Sequence, residues 1–142
     1  MKKNCISQFP FRVLLVEDSV ELQAMLQAML CEIPSVKVIG SVGSEQEALE
    51  MMRSECADLA IVDLELESGT GLGVLKSLND DCMQLNNKLL GVVVFSNYSN
   101  LVIRHRCLSL GAKAFFDKSF QIDELLEFVQ QQALGRAKGL SL

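Results

Sequence analysis

The stretch Leu59-Ala60-Ile61-Val62-Asp63 contains four apolar residues that end abruptly in a carboxylate. A short run that is apolar throughout, without alternation, is typical of a strand covered on both faces, as in a parallel sheet. A carboxylate at the end of such a strand is costly to bury without a partner. The stretch therefore predicts a central strand with a candidate functional residue, Asp63, at its carboxyl end.

Short apolar runs and amphipathic segments alternate on both sides of this strand. The predicted strands are 11–16, 36–42, 59–62, 89–95 and 113–116. The predicted helices are 19–33, 44–55, 71–79, 99–110 and 122–134. Ser44-Glu45-Gln46-Glu47 reads as a capping box for the second helix, and Gly111 is expected to close the fourth. Five β-α units in a row predict a single α/β domain with helices on both faces of a parallel sheet.

Bulk composition narrows the class of protein. The chain has 142 residues, a formal net charge of −5 and 49% hydrophobic residues. An acidic chain is poorly suited to direct nucleic-acid binding, which needs a concentrated basic surface. No apolar run approaches the roughly 18 residues that span a bilayer, and the first ten residues lack a secretory signal. The five dispersed cysteines form no C-x-x-C pair. We therefore expect a cytosolic domain over 11–134, with an extension at 1–10 and a frayed tail at 135–142 too short to be an output domain.

Charged and polar residues follow the strands. The carboxyl ends of parallel strands form one edge of a sheet, where ligands bind. The residues expected at that edge are Glu17, Asp18, Asp63, Ser96 and Lys118. Two carboxylates about 4 Å apart repel by about 4 kcal/mol at an effective dielectric constant near 20, so either their pKa values rise or a cation binds. Hard oxygen ligands suit Mg²⁺, and a divalent cation beside a lysine suits phosphoryl transfer.

These residues resemble the receiver domain of response regulators in bacterial two-component and phosphorelay systems. The resemblance covers residues 11–134. It rests on Leu14-Leu15-Val16-Glu17-Asp18, Ile61-Val62-Asp63 with Gly71 eight residues later, Val93-Val94-Phe95-Ser96, and Gly111-Ala112-Lys113-Ala114-Phe115-Phe116-Asp117-Lys118. It implies a flavodoxin-like, doubly wound sheet of five parallel strands in the order 2-1-3-4-5.

The resemblance also implies roles for single residues. Asp63 would accept a phosphoryl group from a sensor histidine kinase or a histidine phosphotransfer protein. The implied Mg²⁺ ligands are Glu17, Asp18, Asp63 and the backbone carbonyl of Glu65. Ser96 and Lys118 would bind the phosphoryl group, and Ser96 and Phe115 would be the switch residues. Phosphorylation would change the surface of the fourth helix, fifth strand and fifth helix, which would contact an output partner or form a weak homodimer. The chain would then be a switch and not a dedicated enzyme, with no membrane or nucleic-acid partner.

Three residues depart from the usual pattern of the family. Glu17 stands where aspartate is more common, and its longer arm still permits metal contact. Glu67 stands where a proline usually stiffens the loop, so residues 66–71 are expected to be more mobile. Ser119 replaces a proline after the lysine. Because a cis bond at a non-proline residue costs about 2.5–4 kcal/mol, a trans or a strained peptide is expected there.

Three functions remain open at this point. The first is a stand-alone signalling receiver, and the second is a receiver cut from a longer DNA-binding regulator. The third is a nucleotide- or flavin-binding α/β enzyme, suggested by Gly69-Thr70-Gly71-Leu72-Gly73. Its spacing is wrong because Val74 replaces the third glycine of the dinucleotide motif, and Glu65 and Glu67 would repel a pyrophosphate. Arg104-His105-Arg106 is either a solvated basic helix face or a contact for a partner.

Overall fold

Strands and helices alternate along the chain, as the sequence predicts. The computed structural model describes residues 9–80, 90–98 and 100–140, with side chains to residue 135. The strands are β1 (Phe11–Val16), β2 (Val36–Val42), β3 (Leu59–Val62), β4 (Gly91–Ser96) and β5 (Ala114–Asp117). The helices are α1 (Val20–Cys31), α2 (Glu45–Ser54), α3 (Gly71–Asn79), α4 (Leu101–Ser109) and α5 (Ile122–Leu140). None of the described helices is both long and apolar enough to cross a bilayer.

The five strands form one parallel sheet in the order β2-β1-β3-β4-β5, which confirms the predicted order. Strand β3 is central: Val62 lies opposite Val16 of β1 on one side and Val94 of β4 on the other. The strands on either side therefore end beside Asp63.

Helices cover both faces of the sheet, and alternate strand residues enter two separate cores. Leu14 and Val16 of β1 lie in one core, with residues of α2, α3 and α4. Val13 and Leu15 lie in the other, with residues of α1 and α5. All four are fully buried. Burial on both faces explains why β3, whose four residues are all buried, is apolar throughout instead of alternating.

Side-chain hydrogen bonds fix the beginning of α2, and a glycine follows the end of α4. The Ser44 hydroxyl accepts a hydrogen bond from the Glu47 N–H at 3.2 Å. The Glu47 carboxylate accepts one in return from the Gly43 N–H at 3.3 Å. This confirms the capping box, with the return bond displaced by one residue. Gly111 follows α4 with a φ of +107°, a conformation that favours glycine.

The prediction of a frayed tail from residue 135 is wrong, because α5 continues to Leu140. Gly135 and Gly139 only weakly oppose a helix, and Arg136, Ala137 and Lys138 between them are good helix formers. Extending an existing helix by six residues is much easier than nucleating a new one.

Other element ends differ from prediction by a residue or two. Strand β5 is shifted to Ala114–Asp117, and β4 extends to Ser96, which pairs with Asp117. Helix α4 begins at Leu101, with Asn100 as its cap. The predicted beginnings of β4 at Leu89 and of α4 at Ser99 lie outside the described residues.

Candidate functional site

Three carboxylates meet at the carboxyl edge of the sheet. Glu17 and Asp18 follow β1, and Asp63 follows the neighbouring strand β3. One carboxylate oxygen from each lies within 4.8 Å of the other two, close enough to share a cation. Glu17 and Asp63 are only 3% and 5% exposed, whereas Asp18 is more open to solvent. The carboxylates predicted from two separate motifs thus form one acidic cluster.

Lys118 joins two of these carboxylates. It follows β5, and its backbone N–H donates to the Ser96 carbonyl at 3.1 Å. Its Nζ lies 2.8 Å from Oε1 of Glu17 and 2.8 Å from Oδ2 of Asp63. Burial alone would lower the pKa of Lys118, but hydrogen bonds to Asp63 and Glu17, and the charges of both, raise it overall. The lysine is therefore held as a cation between two buried carboxylates.

Glu17 is held at three points. Lys118 contacts Oε1, the Ser19 N–H donates to Oε2 at 3.0 Å, and the Gln23 side-chain amide donates to the Glu17 carbonyl oxygen. Burial raises the pKa of Glu17, although the bonds from Lys118 and Ser19 oppose this change. The glutamate that departs from the family pattern therefore takes part in the site.

At the start of α1, the residue that caps the helix is different from the residues that form the acidic cluster. The Ser19 hydroxyl accepts a hydrogen bond from the Leu22 N–H at 3.2 Å, so Ser19 caps the helix. The cap of α1 is therefore Ser19 and not the preceding Asp18, which belongs to the acidic cluster.

Ser96 and Phe115 are both buried, with 1% and 4% exposure. The Ser96 hydroxyl oxygen accepts a hydrogen bond from the Tyr98 N–H at 3.1 Å, which leaves its own hydrogen available for donation. The Arg104 guanidinium carbon lies 5.1 Å from the centre of the Phe115 ring, in cation–π range. One residue of the predicted basic cluster therefore covers Phe115, a contact that the sequence did not indicate.

The loop of residues 63–70, hereafter the β3–α3 loop, carries Glu65. Its backbone N–H lies 3.4 Å from Oδ1 of Asp63, a long hydrogen bond. Gly71, the first residue of α3 after this loop, has no room for a side chain, because a Cβ there would collide with the Asp63 carbonyl group. The glycine eight residues after Asp63 thus permits α3 to begin in close contact with the Asp63 backbone.

No peptide bond in the described residues is cis, so the bond between Lys118 and Ser119 is trans. The Ser119 N–H donates to Oδ1 of Asp117 at 2.7 Å. A proline has no N–H and could not make this bond. The departure at Ser119 therefore adds a hydrogen bond next to Lys118.

The glycine-containing motif at residues 69–73 already has a carboxylate beside it. The Thr70 N–H donates to Oε1 of Glu45 from α2 at 2.9 Å. A negative group at this position opposes phosphate binding at the start of α3. The geometry thus argues against the nucleotide- or flavin-binding alternative. Sequence reasoning also missed the contact between Glu45 and Thr70, because the position of Glu45 in the capping box gave no sign of this contact.

Comparisons with known proteins agree with this geometry. The family model described as "Response regulator receiver domain" matches residues 13–130. A protein-glutamate methylesterase/protein-glutamine glutaminase of Anaeromyxobacter dehalogenans is 38% identical over 69 residues, which are 49% of this chain and 19% of that protein. The nitrate/nitrite response regulator NarL of Escherichia coli is 26% identical over 131 residues, which are 91% of this chain and 57% of NarL. The chain thus spans less than two thirds of the length of these curated relatives.

A solved structure gives the same result for the fold. The response regulator domain of Thermotoga maritima CheB superposes with a TM-score of 0.75 at 25% sequence identity. The similarity covers 89% of this chain and 97% of that one.

Proposed function

The chain belongs to the response regulator receiver domain family, and we propose that Asp63 is its phospho-acceptor. The observation that carries this assignment is the pairing of Asp63 and Glu17 with one ammonium group, at 2.8 Å each, at the carboxyl edge of the sheet. A nucleophilic carboxylate needs a nearby cation to offset the negative charge of an incoming phosphoryl group. Lys118 is placed to supply it.

The donor would be a phosphohistidine on a sensor histidine kinase or a histidine phosphotransfer protein. A carboxylate oxygen of Asp63 attacks phosphorus, and the bond between phosphorus and the imidazole nitrogen breaks. The electron pair of that bond leaves with the imidazole, and Asp63 becomes an acyl phosphate. Lys118 then faces the new phosphoryl oxygens, and the free hydrogen of the Ser96 hydroxyl can be donated to one of them.

The acidic cluster suits a hard divalent cation. We propose that Glu17, Asp18, Asp63 and the backbone carbonyl of Glu65 hold Mg²⁺, because all are oxygen donors and three are carboxylates within 4.8 Å of one another. When bound, Mg²⁺ would neutralise charge on the phosphoryl oxygens. Asp18, the most accessible of the three carboxylates, would face the incoming ion.

Incubation with acetyl phosphate and Mg²⁺ tests the assignment. The wild-type chain should gain the mass of one phosphoryl group in a form that hydroxylamine removes, as expected for an acyl phosphate. Asp63→Asn should abolish the gain because the amide is a poor nucleophile. Asp80→Asn, which removes an exposed carboxylate, should leave it unchanged. Equal labelling of Asp63→Asn and wild type would refute the role of Asp63.

We propose that phosphorylation is transmitted through α4, β5 and α5. Leu101 and Val102 of α4 are 80% and 76% exposed, and they line a groove of about 560 Å³ together with His105, Arg106 and Ser109. Exposed apolar side chains beside basic ones suit contact with a protein surface. An output partner, or weakly a second copy of the chain, would bind there.

The likeness to longer regulators suggests a second arrangement as an alternative, in which this receiver controls an attached output domain. NarL, for example, extends beyond the matched residues. Reading the gene through its stop codon would distinguish this arrangement from a stand-alone switch. In either arrangement we propose that the domain itself is a phosphoryl acceptor in the cytosol and not a dedicated enzyme.

A further inference from the structure

The amino end of α2 is bonded to the β3–α3 loop. The Thr70 N–H donates to Oε1 of Glu45 at 2.9 Å, and the Glu45 N–H donates to the Ser68 carbonyl at 3.0 Å. The Glu67 N–H donates to the Gly43 carbonyl at 3.2 Å. Backbone and side-chain hydrogen bonds from the amino end of α2 therefore hold the β3–α3 loop, which follows Asp63.

Two glycines make room for the Glu45 side chain. A Cβ at Gly69 or at Gly73 would collide with atoms of Glu45. Gly69 also has a φ of +80°, which side-chain-bearing residues rarely adopt. The carboxylate lies at the amino end of α3, where the helix dipole favours negative charge. Gly69 and Gly73, which lie in the stretch that superficially resembles a dinucleotide motif, thus leave space for the Glu45 carboxylate.

Further contacts connect the Glu45 carboxylate to Asp63. Thr70 forms an isolated antiparallel bridge with Glu65, on the opposite side of the loop. The Glu65 N–H in turn lies 3.4 Å from Oδ1 of Asp63. Glu45 is therefore connected to Asp63 through two intervening residues, although it lies on a different helix.

We infer that Glu45 is a positioning residue for the phospho-acceptor site. By fixing Thr70, its carboxylate keeps Glu65 beside Asp63, with the Glu65 carbonyl aligned for Mg²⁺. This inference rests on the proposed function. The Glu45 carboxylate would also restrain the β3–α3 loop. In this loop Glu67 replaces the usual proline, and the sequence alone led us to expect mobility.

Magnesium binding to the unphosphorylated full chain, measured by calorimetry, tests the inference. Glu45→Ala should weaken the affinity roughly tenfold, the lower end of losses seen when groups that hold metal ligands are removed. Glu45→Gln keeps an acceptor oxygen for the Thr70 N–H and should retain most of the affinity. Glu50→Ala is the matched control, because Glu50 is an exposed glutamate of the same helix and bonds to Gln46 at 3.5 Å. It should bind Mg²⁺ as wild type does.

A second variant displaces the Glu45 carboxylate without changing any charge. In Gly73→Ala, the new methyl group would occupy the space of that carboxylate, while alanine favours the α3 helix. The loss of affinity should match that of Glu45→Ala. The double variant should lose no more than either single one, because both act on the same contact. This variant keeps the test valid if Glu45→Ala folds poorly.

Amide hydrogen exchange without metal gives an independent measurement. Exchange at the Thr70 N–H should be faster in Glu45→Ala than in wild type or Glu50→Ala, since its acceptor is gone. Glu45→Gln should restore most of the protection. This result does not depend on phosphorylation or on bound Mg²⁺.

The outcomes separate this inference from the proposed function. If wild type binds Mg²⁺ and Glu45→Ala binds it as tightly as Glu50→Ala does, the inference is overturned and the proposed function stands. Faster Thr70 exchange with unchanged affinity overturns it too, because Glu45 would then hold the loop without positioning the site. A wild-type chain that takes neither Mg²⁺ nor a phosphoryl group refutes the proposed function, and this inference with it.

Discussion

Lys118 has the most demanding electrostatic position among the site residues. Its side chain is 15% exposed and contacts carboxylates that are 4% and 6% exposed. Removing one member of a buried ion pair leaves the other charge without compensation, which costs more than the pair contributes. In this cluster two carboxylates would lose the same cation together.

Lys118→Ala is therefore expected to lower the free energy of unfolding by roughly 3 kcal/mol in metal-free buffer. Added Mg²⁺ should recover part of the loss, because the ion would replace the missing positive charge. Urea unfolding with and without Mg²⁺ measures both effects. Lys76→Ala, which removes an exposed lysine of α3, should change the stability little in either buffer. A similar loss for both variants would argue against the electrostatic explanation.

Single residues differed in how well the sequence predicted them. Glu17, Asp18, Asp63 and Lys118 could be assigned to one site because each directly follows a strand, and parallel strands end at one edge. The double pairing of Lys118 could not be predicted, because it depends on how far side chains reach across three strands. The contact of Glu45 with Thr70 was missed for a similar reason, because it depends on how α2 lies against the start of α3.

At the scale of elements, α4 combines an exposed face with a fully buried one. Cys107 on the buried face is 0% exposed, whereas Cys31 of α1 is exposed. Burial raises the pKa of the Cys107 thiol, although the charge of Arg106 opposes this change. The thiol of Cys107 therefore reports whether α4 is packed against the sheet.

We predict that Cys107 resists alkylation in the folded protein. A raised pKa lowers the thiolate fraction at any pH below it, so labelling near pH 8 should be much slower for Cys107 than for Cys31. Raising the pH should increase the thiolate fraction of Cys107 and speed its labelling. Iodoacetamide treatment followed by peptide mass spectrometry, with and without urea, measures the difference. Equal labelling of both peptides without urea would contradict a packed α4.

Element types were predictable because uninterrupted apolar runs indicate buried strands and amphipathic segments indicate helices, whereas some element ends were not predictable. The start of α2 follows from the side-chain chemistry of Ser44 and Glu47, which is local. The end of α5 was mispredicted because isolated glycines only weakly oppose a helix that has already formed. The pairing of Ser96 with Asp117 extended both strands beyond their apolar residues.

At the scale of the whole molecule, the sheet separates two cores. Val74 of α3 lies in the core beneath α2, α3 and α4, and Val129 of α5 lies in the opposite core. Both are fully buried. Since the sheet lies between them, a cavity on one face should have little effect on packing at the other.

Val74→Ala and Val129→Ala should each lower the free energy of unfolding by about 2 kcal/mol, from lost burial and the cavity left behind. The double variant should lose nearly the sum, because distant sites add to within about 0.5 kcal/mol. Chemical unfolding of the four proteins tests this prediction. A large departure from additivity would mean that the sheet transmits strain between its faces.

The hydrogen bond from the Tyr98 N–H to the Ser96 hydroxyl has an optical consequence. The chain has one tyrosine and no tryptophan, so nearly all its near-ultraviolet emission comes from Tyr98. That ring is 51% exposed and lies two residues from the hydroxyl proposed to meet the phosphoryl group. A change in the environment of Ser96 should therefore change the emission of Tyr98. The protein carries its own fluorophore beside the proposed switch residue, and no tryptophan obscures its signal.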